Sequence, residues 1–468
     1  MINRNCAEQA CAAAAQMIGE GFMSKQLENI LQRQDEYVPK SARIPYVPIS
    51  FVRGKGAKLY DCDGNEYIDF LASASSANIG HGNEEIAQAV YGQMMDLSQY
   101  ISAYFPSGPM IDLAEKVSHM TGRPDMMVSF SCTGSASIDG AIKYARGYTG
   151  RPKIVSFSES YHGSTYGAIS VSKLTNSMRR KIGPLLPECE TFHYPTCLRC
   201  QYHQKPETCK LDCLEQIRYA FRHYLPADEV AAFLVEPIAG DAGLIVPPAR
   251  FFQDLAALCR ENGILLISDE INQGVGRTGR MFAMDNFGVE CDLYVLGKSL
   301  GGGLPLGAVV GRREVMESLG SPAHAFTMSG NASCCTASLK MLEIMERENI
   351  FEESYQKGLY LRERFLKMQE EFPVIGEVRG IGLNIGVDLV TDRETMEKNY
   401  PAAAKISYYC MKHGLLLTFV GQSTLRVQPP LVITREELDR ATEIIHAALV
   451  AYTAGELSDS ILGEIQGW

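Results

Sequence analysis

The chain has 468 residues, 46% hydrophobic and 21% charged, which is a globular make-up and excludes wholesale disorder or a fibrous repeat. Its 44 Lys and Arg against 55 Asp and Glu leave a net charge of −11, the wrong sign for nucleic acid as the main partner. Apolar runs stay short of the ~18–20 residues that cross a bilayer, and 14 cysteines are too dilute for a disulfide scaffold, so a soluble, cytoplasmic protein with reduced thiols is expected.

Ala12 to Ala15, flanked by Glu8, Gln16 and Glu20, read as an Ala-rich helix rather than a signal segment. Asp61-Cys62-Asp63-Gly64-Asn65 hints at a calcium loop. Its glycine is misplaced and Ala72 stands where a bidentate Glu is needed, so a hairpin turn is expected. From about 110 to 310, short apolar runs alternate with amphipathic stretches. Val128-Ser129-Phe130 and the runs 154–157, 232–235, 264–267 and 293–296 lack period-2 alternation, the pattern of strands buried on both faces of a parallel sheet. Ile138, Ala141, Ile142 and Ala145 make a helical stripe, as do Phe251, Leu255, Leu258 and Cys259 before Asn262-Gly263. After about 349 helices precede Gly-rich strands at 378–387, 415–417 and 425–427. The expectation is an α/β protein: a large domain over 79–345 with a mostly parallel sheet flanked by helices, a smaller α+β domain over 346–468, and an N-terminal segment, 1–78, packing with the small domain. Ligands of such a sheet gather at the carboxyl ends of its strands.

Three motifs stand at such ends. Cys132-Thr133-Gly134-Ser135-Ala136-Ser137 follows a strand and opens a helix, whose N-terminal N–H groups suit a phosphate. Ile267-Ser268-Asp269-Glu270-Ile271 puts two carboxylates after a buried strand, where they are costly unless they face a polar site. Lys298 ends the 293–296 strand ahead of Gly301-Gly302-Gly303, where a desolvated amine becomes nucleophilic enough for Schiff-base chemistry. Gly274-Val275-Gly276-Arg277-Thr278-Gly279 matches a dinucleotide fingerprint in letters only. No helical stripe follows it, and Asp269-Glu270 would repel a pyrophosphate. Cys197, Cys200, Cys209 and Cys213, near His203, fit either a small structural zinc knot or four free or oxidisable thiols.

Taken together, and over about 43–426, these motifs resemble the class III family of fold-type-I pyridoxal 5′-phosphate enzymes, which includes 4-aminobutyrate and ornithine aminotransferases. The stretches 133–151 (TGSASIDGAIKYARGYTGR), 161–164, 224–230 (YLPADEV), 259–265, 321–325 and 466–468 are similar to the family's amino-acid 2-epimerases rather than its transaminases. The resemblance implies pyridoxal 5′-phosphate as cofactor, with Lys298 as its Schiff-base lysine. It implies that Gly134 and Ser135 hold the phosphate, that Tyr161 stacks on the ring and that Ile271 presses on the other face. Asp269 would pair with the ring nitrogen and Arg426 would receive the substrate α-carboxylate. Thr327 would reach the phosphate of a neighbouring subunit, which implies a homodimer, or a dimer of dimers, with shared sites. Asn272 replaces the family's Gln beside the cofactor's 3-hydroxyl, Ala332 replaces a proline, and the four-cysteine insert departs from the epimerases.

The activity implied is inversion at Cα of a non-polar, possibly branched-chain, small-molecule amino acid; the alternative is an aminotransferase acting with a 2-oxo acid. In both, Lys298 removes the Cα proton. An epimerase returns a proton from the opposite face, and Asp241, in Glu236-Pro237-Ile238-Ala239-Gly240-Asp241, matches the acid given that role. An idle homologue serving as a binding subunit is disfavoured by the joint presence of Lys298, Asp269 and Arg426.

Overall fold

The computed structural model describes residues 24–468 apart from 45, 464, 466 and 468, so the Ala-rich helix expected around Ala12 and the ends of the 466–468 motif lie outside the described residues. Three strands come first: β1 (Phe51–Lys55), β2 (Lys58–Asp61) and β3 (Glu66–Asp69). The turn between β2 and β3 is a hairpin in which Asp61 Oδ1 accepts from the Asp63 and Asn65 N–H groups at 3.0 and 2.9 Å. That is the side-chain-capped turn its Asp and Asn favour.

The central sheet has seven strands: β4 (Met126–Ser131), β5 (Lys153–Phe157), β6 (Cys189–Phe192), β7 (Val230–Val235), β8 (Leu265–Asp269), β9 (Leu293–Leu296) and β10 (Gly307–Arg312). Their order is β4-β10-β9-β8-β7-β5-β6. Pairing is parallel from β6 through β9, while β10 runs antiparallel to both β9 and β4. The sheet is therefore mostly parallel, as expected. β10 and β6 lie outside the expected strands: β10 follows closely on the Gly-rich run, and the four residues of β6 carry little hydrophobic pattern.

β7, β8 and β9 are buried along their whole length. The reason is visible in β7: Ala232 and Leu234 pack on one layer with Ile138, Ala141 and Ile142, whereas Phe233 and Val235 face the other with Phe251 and Leu255. Side-chain alternation with apolar layers on both faces produces the continuous apolar runs. Thr133 caps the helix Gly134–Thr149 by accepting from Ala136 N–H, and Gly150, at φ 67°, ends it. The helix Ala249–Asn262 ends at Gly263 in the same left-handed conformation.

Beyond the helix Ile350–Glu371 lie β11 (Ile375–Gly380), β12 (Ile385–Leu389), β13 (Leu415–Leu416), β14 (Thr418–Val420) and β15 (Thr424–Val427). The order β11-β12-β15-β14 makes one four-stranded sheet, and β1-β2-β3-β13 makes another. Ile68 of β3 thus pairs with Leu415 of β13, which draws the N-terminal strands onto the C-terminal part. No helix among the described residues is long and apolar enough to cross a membrane.

Candidate active site

Asp269 and Lys298 stand at the carboxyl ends of the neighbouring strands β8 and β9. Lys298 holds φ 43°, a conformation costly for a residue with a Cβ, where the chain turns sharply out of β9. Burial lowers the pKa of its ammonium from the ordinary 10.5; the Asp241 charge opposes that and the Arg426 charge adds to it. The helix N-terminus at Gly134 lies against the same place. A Cβ on Gly134 would fall 2.7 Å from Ile271 Cδ1, and one on Gly297 would fall 3.0 Å from Gly134 Cα. Glycine is required at both points for this close approach.

The Asp269 carboxylate is buried, with Oδ2 2.6 Å from His162 Nδ1 and Oδ1 accepting from the Ile271 N–H at 3.0 Å. The other ring nitrogen of His162 is buried without a partner. Tyr161 lies beside it: its N–H donates to Glu236 Oε1 at 2.9 Å and its hydroxyl is 3.1 Å from Ser164 Oγ. Ser135 Oγ accepts from the Ser164 N–H at 3.1 Å. Gly163, at φ 129°, leaves room for that hydroxyl, since a Cβ there would come within 2.1 Å of it.

Glu270 departs from the expectation that both carboxylates face the site. Strand alternation turns it the other way, where Oε2 accepts from Ala283 N–H at 2.7 Å and Oε1 from Met284 N–H at 3.0 Å and Ser268 Oγ at 2.9 Å. It holds the 283–284 turn.

Arg426, on β15, donates from Nη1 to Asp241 Oδ1 at 2.9 Å and from Nε to Gln428 Oε1. With its amide oxygen toward the two cations, Asn272 accepts from Arg426 Nη2 at 2.9 Å and from Lys298 Nζ at 3.0 Å, while its NH2 donates to Ser75 Oγ at 3.1 Å. In that orientation the Asn272 NH2 also faces the Gln428 amide nitrogen at 2.9 Å, and Gln428 Nε2 donates to Asn384 Oδ1. One continuous line of contacts therefore runs Asp241–Arg426–Asn272–Lys298. Four members of the site were missed in the sequence: Ser75, His162, Gln428 and Asn384. His162 carried a signal, lying between Tyr161 and Gly163 in a quoted motif; the two amides carried none.

Thr327 is exposed, and its carbonyl accepts from Gln99 Nε2 at 3.1 Å. Phe326, Met328, Tyr100, Tyr104 and Phe105 are also exposed. Cys197, Cys200, Cys209 and Cys213 line a cavity of about 130 Å³ with Tyr194, Leu211 and Pro248. All four are free thiols, and burial raises Cys197 to about 11 and Cys213 to about 12. Among the described residues no three His, Cys, Asp or Glu side chains stand where they could hold a metal ion. The turn Cys197–Arg199 and the helix Asp212–His223 bring the four thiols to one largely apolar lining, near enough for Cys209 and Cys200 to raise Cys197 further.

Pyridoxal 5′-phosphate fits the residues present. An amine of lowered proton affinity suits its aldehyde, a buried carboxylate suits its ring nitrogen, and the helix N-terminus at Gly134 and Ser135 suits its phosphate. Gly134 and Gly297 leave room for Ile271 to approach this helix N-terminus.

Residues 39–449 match the family described as aminotransferase class-III. The chain is 44% identical to isoleucine 2-epimerase of Lentilactobacillus buchneri, over 92% of this chain and 96% of that protein. It is 41% identical to leucine/methionine racemase of Thermococcus litoralis, over 94% of this chain and 99% of that one. Among solved structures, a Bacillus anthracis aminotransferase superposes with a TM-score of 0.83 at 29% identity, covering 92% of this chain and all of that one. The protein belongs to the class III aminotransferase family.

Proposed function

We propose that the protein is an amino-acid 2-epimerase or racemase that inverts Cα of a non-polar amino acid, branched-chain ones included. The observation that carries this reading is the 44% and 41% identity, over nearly the whole chain, to isoleucine 2-epimerase and leucine/methionine racemase, against 33% to an aminotransferase by the same measure. The site supports it with two groups able to carry protons, Lys298 and Asp241, at the two ends of one line of contacts.

Pyridoxal 5′-phosphate, when bound, supplies an electron sink that makes the substrate's Cα proton removable. In this reading Lys298 holds the cofactor and moves the proton on one face of Cα; burial favours the neutral amine that this needs. Asp269 keeps negative charge at the ring nitrogen, and His162 orients that carboxylate. Gly134 and Ser135 hold the phosphate, Tyr161 and Ile271 sandwich the ring, and Asn272 touches its 3-hydroxyl side. Arg426 takes the α-carboxylate bidentately, which competes with its ion pair to Asp241 and frees Asp241 to serve the second face. Thr327 and the exposed aromatic residues around it form the contact with a second copy, completing a homodimer. A content of 14 cysteines in 468 residues, too dilute for a disulfide scaffold, supports a reducing, cytoplasmic setting.

The test is to incubate the cofactor-loaded enzyme with single L-amino acids and no 2-oxo acid, then resolve the products on a chiral column. Epimer should accumulate to near equilibrium. A stoichiometric 2-oxo acid, with turnover stopping until an acceptor is added, makes the enzyme an aminotransferase instead.

A further inference from the structure

The cysteine-bearing segment reaches into the small sheet through one side chain. Arg199, between Cys197 and Cys200, donates from Nη1 and Nη2 to Asp388 Oδ2 and Oδ1 at 2.8 and 3.0 Å, and from Nε to the Met396 carbonyl at 2.6 Å. The pair is bidentate and Asp388 is buried, so it is stronger than a surface ion pair. Ser423 Oγ donates to Asp388 Oδ1 at 2.8 Å, and Arg379 Nη2 lies 2.9 Å from Oδ2. Burial by itself would raise the Asp388 pKa. The hydrogen bonds from Arg199 and the charges of Arg379 and Arg199 reverse that and hold it far below the ordinary carboxylate range.

Asp388 sits on β12, where it faces Thr424 of β15, and Gly386 on the same strand faces Arg426. Arg379 ties this cluster to the loop carrying Asp241. Its Nε and Nη2 donate to the Gly243 carbonyl at 3.0 and 2.6 Å, and Nη2 also donates to Thr424 Oγ1 at 3.0 Å. The approach is close, since a Cβ on Gly386 would fall 3.0 Å from the Gly243 oxygen. The Gly421 N–H, just before β15, donates to the Asp241 carbonyl at 3.1 Å. Both members of the Arg426–Asp241 pair are therefore mounted on elements that Asp388 and its two arginines bind together.

We propose that Arg199 is a positioning residue for the substrate's α-carboxylate: by gripping Asp388, the cysteine-bearing segment sets the placement of Arg426 and Asp241. The proposal rests on the reading of Arg426 as the α-carboxylate acceptor. Arg199 itself bonds to neither Arg426 nor Asp241, so its influence reaches the carboxylate only through Asp388 and the elements that Asp388 holds.

The experiment titrates the cofactor-loaded enzyme with L-leucine and with 3-methylbutylamine, the same side chain without the carboxylate, following the cofactor absorbance. Arg199→Met should raise Kd for L-leucine five- to tenfold and leave Kd for the amine within twofold. Arg199→Lys, which keeps the charge but loses the fork, should lie between, and it decides the matter if Arg199→Met does not fold. Arg426→Gln, scored separately, tests the underlying reading: it should weaken L-leucine at least a hundredfold and spare the amine. In the double variant the Arg199→Met effect on L-leucine should disappear. Equal weakening of both ligands by the Arg199 variants, or no change in either, overturns the proposal while Arg426→Gln still upholds the reading. If Arg426→Gln spares L-leucine, the reading fails and the proposal falls with it.

Discussion

The carboxyl ends of β8 and β9 and the strand β15 contribute to one site in different ways. Asp269 and Lys298 are placed by their own strands: each ends a buried apolar run, and the two strands are neighbours in the sheet. Arg426 is placed by a network whose members lie far apart in sequence, 185 positions to Asp241, 156 from Gln428 to Asn272 and 197 from Asn272 to Ser75. The strand ends put reactive groups at the cofactor position by local geometry alone. The network aims a substrate-recognising arginine from a second sheet, and so depends on how that sheet docks. Chemistry common to a family suits the first arrangement, while discrimination among substrates and outcomes suits the second.

The largest expected effect lies on the strand-end side. Lys298→Ala removes both the nucleophile and the base, so turnover should fall by at least about 10⁴-fold. Borohydride treatment of the loaded protein should then leave no cofactor covalently attached; a reducible protein–cofactor bond that survives in the variant sinks the assignment. Asp269→Asn keeps the shape and removes the buried charge, and the loss of a buried charged partner costs about 3–5 kcal/mol. Turnover should drop by roughly 10²–10⁴-fold. Activity within tenfold of the parent contradicts a charge role for Asp269.

On the network side, Asp241→Asn should separate the two faces of Cα. Reaction in D2O should put solvent deuterium at Cα of the product. The variant should invert on the order of 10²-fold more slowly, the scale of one general acid. Exchange of the Cα proton with retention should persist, because Lys298 serves its own face unaided. Equal slowing of inversion and retention would mean that Asp241 acts only by holding Arg426.

The strand-end chemistry was legible because burial leaves a continuous apolar signature, and a lysine or aspartate interrupting it at its carboxyl end is conspicuous. The helix cap at Thr133 and the stop at Gly263 were legible for the same local reason. β10 was not, since Gly307–Arg312 owes its place to pairing with β9 and β4 rather than to its own pattern. Gln428, Asn384 and the grip of Arg199 on Asp388 were illegible because a polar side chain declares its partner only after the chain has folded. The four cysteines were legible as a cluster, since the fold gathers them around one cavity, but nothing in their spacing marked the arginine between two of them, which is put to use elsewhere.

Asp269 and Glu270 set the same comparison within two adjacent residues, because alternation sends one carboxylate to the site and the other into the protein. Burial raises the Glu270 pKa from the ordinary 4.5 to about 7, against the hydrogen bonds from Met284, Ala283 and Ser268. Between those values the unfolded chain has released a proton that the folded chain still holds, so the unfolded state binds fewer protons and stability falls as pH rises. The contribution is fully present below pH 4.5 and gone above about 7. At 1.36 kcal/mol per unit it amounts to on the order of 3 kcal/mol at most. Glu270→Gln cannot titrate and lacks this slope. Glu236, also raised to about 7 by burial, titrates in parent and variant alike and cancels in their difference. The parent's advantage over the variant, measured by urea unfolding of the loaded enzyme, should therefore shrink by about 2–3 kcal/mol between pH 5 and pH 8. A difference that stays flat over that range means Glu270 is ionised throughout in the folded protein, its two backbone N–H groups and the Ser268 hydroxyl having outweighed burial.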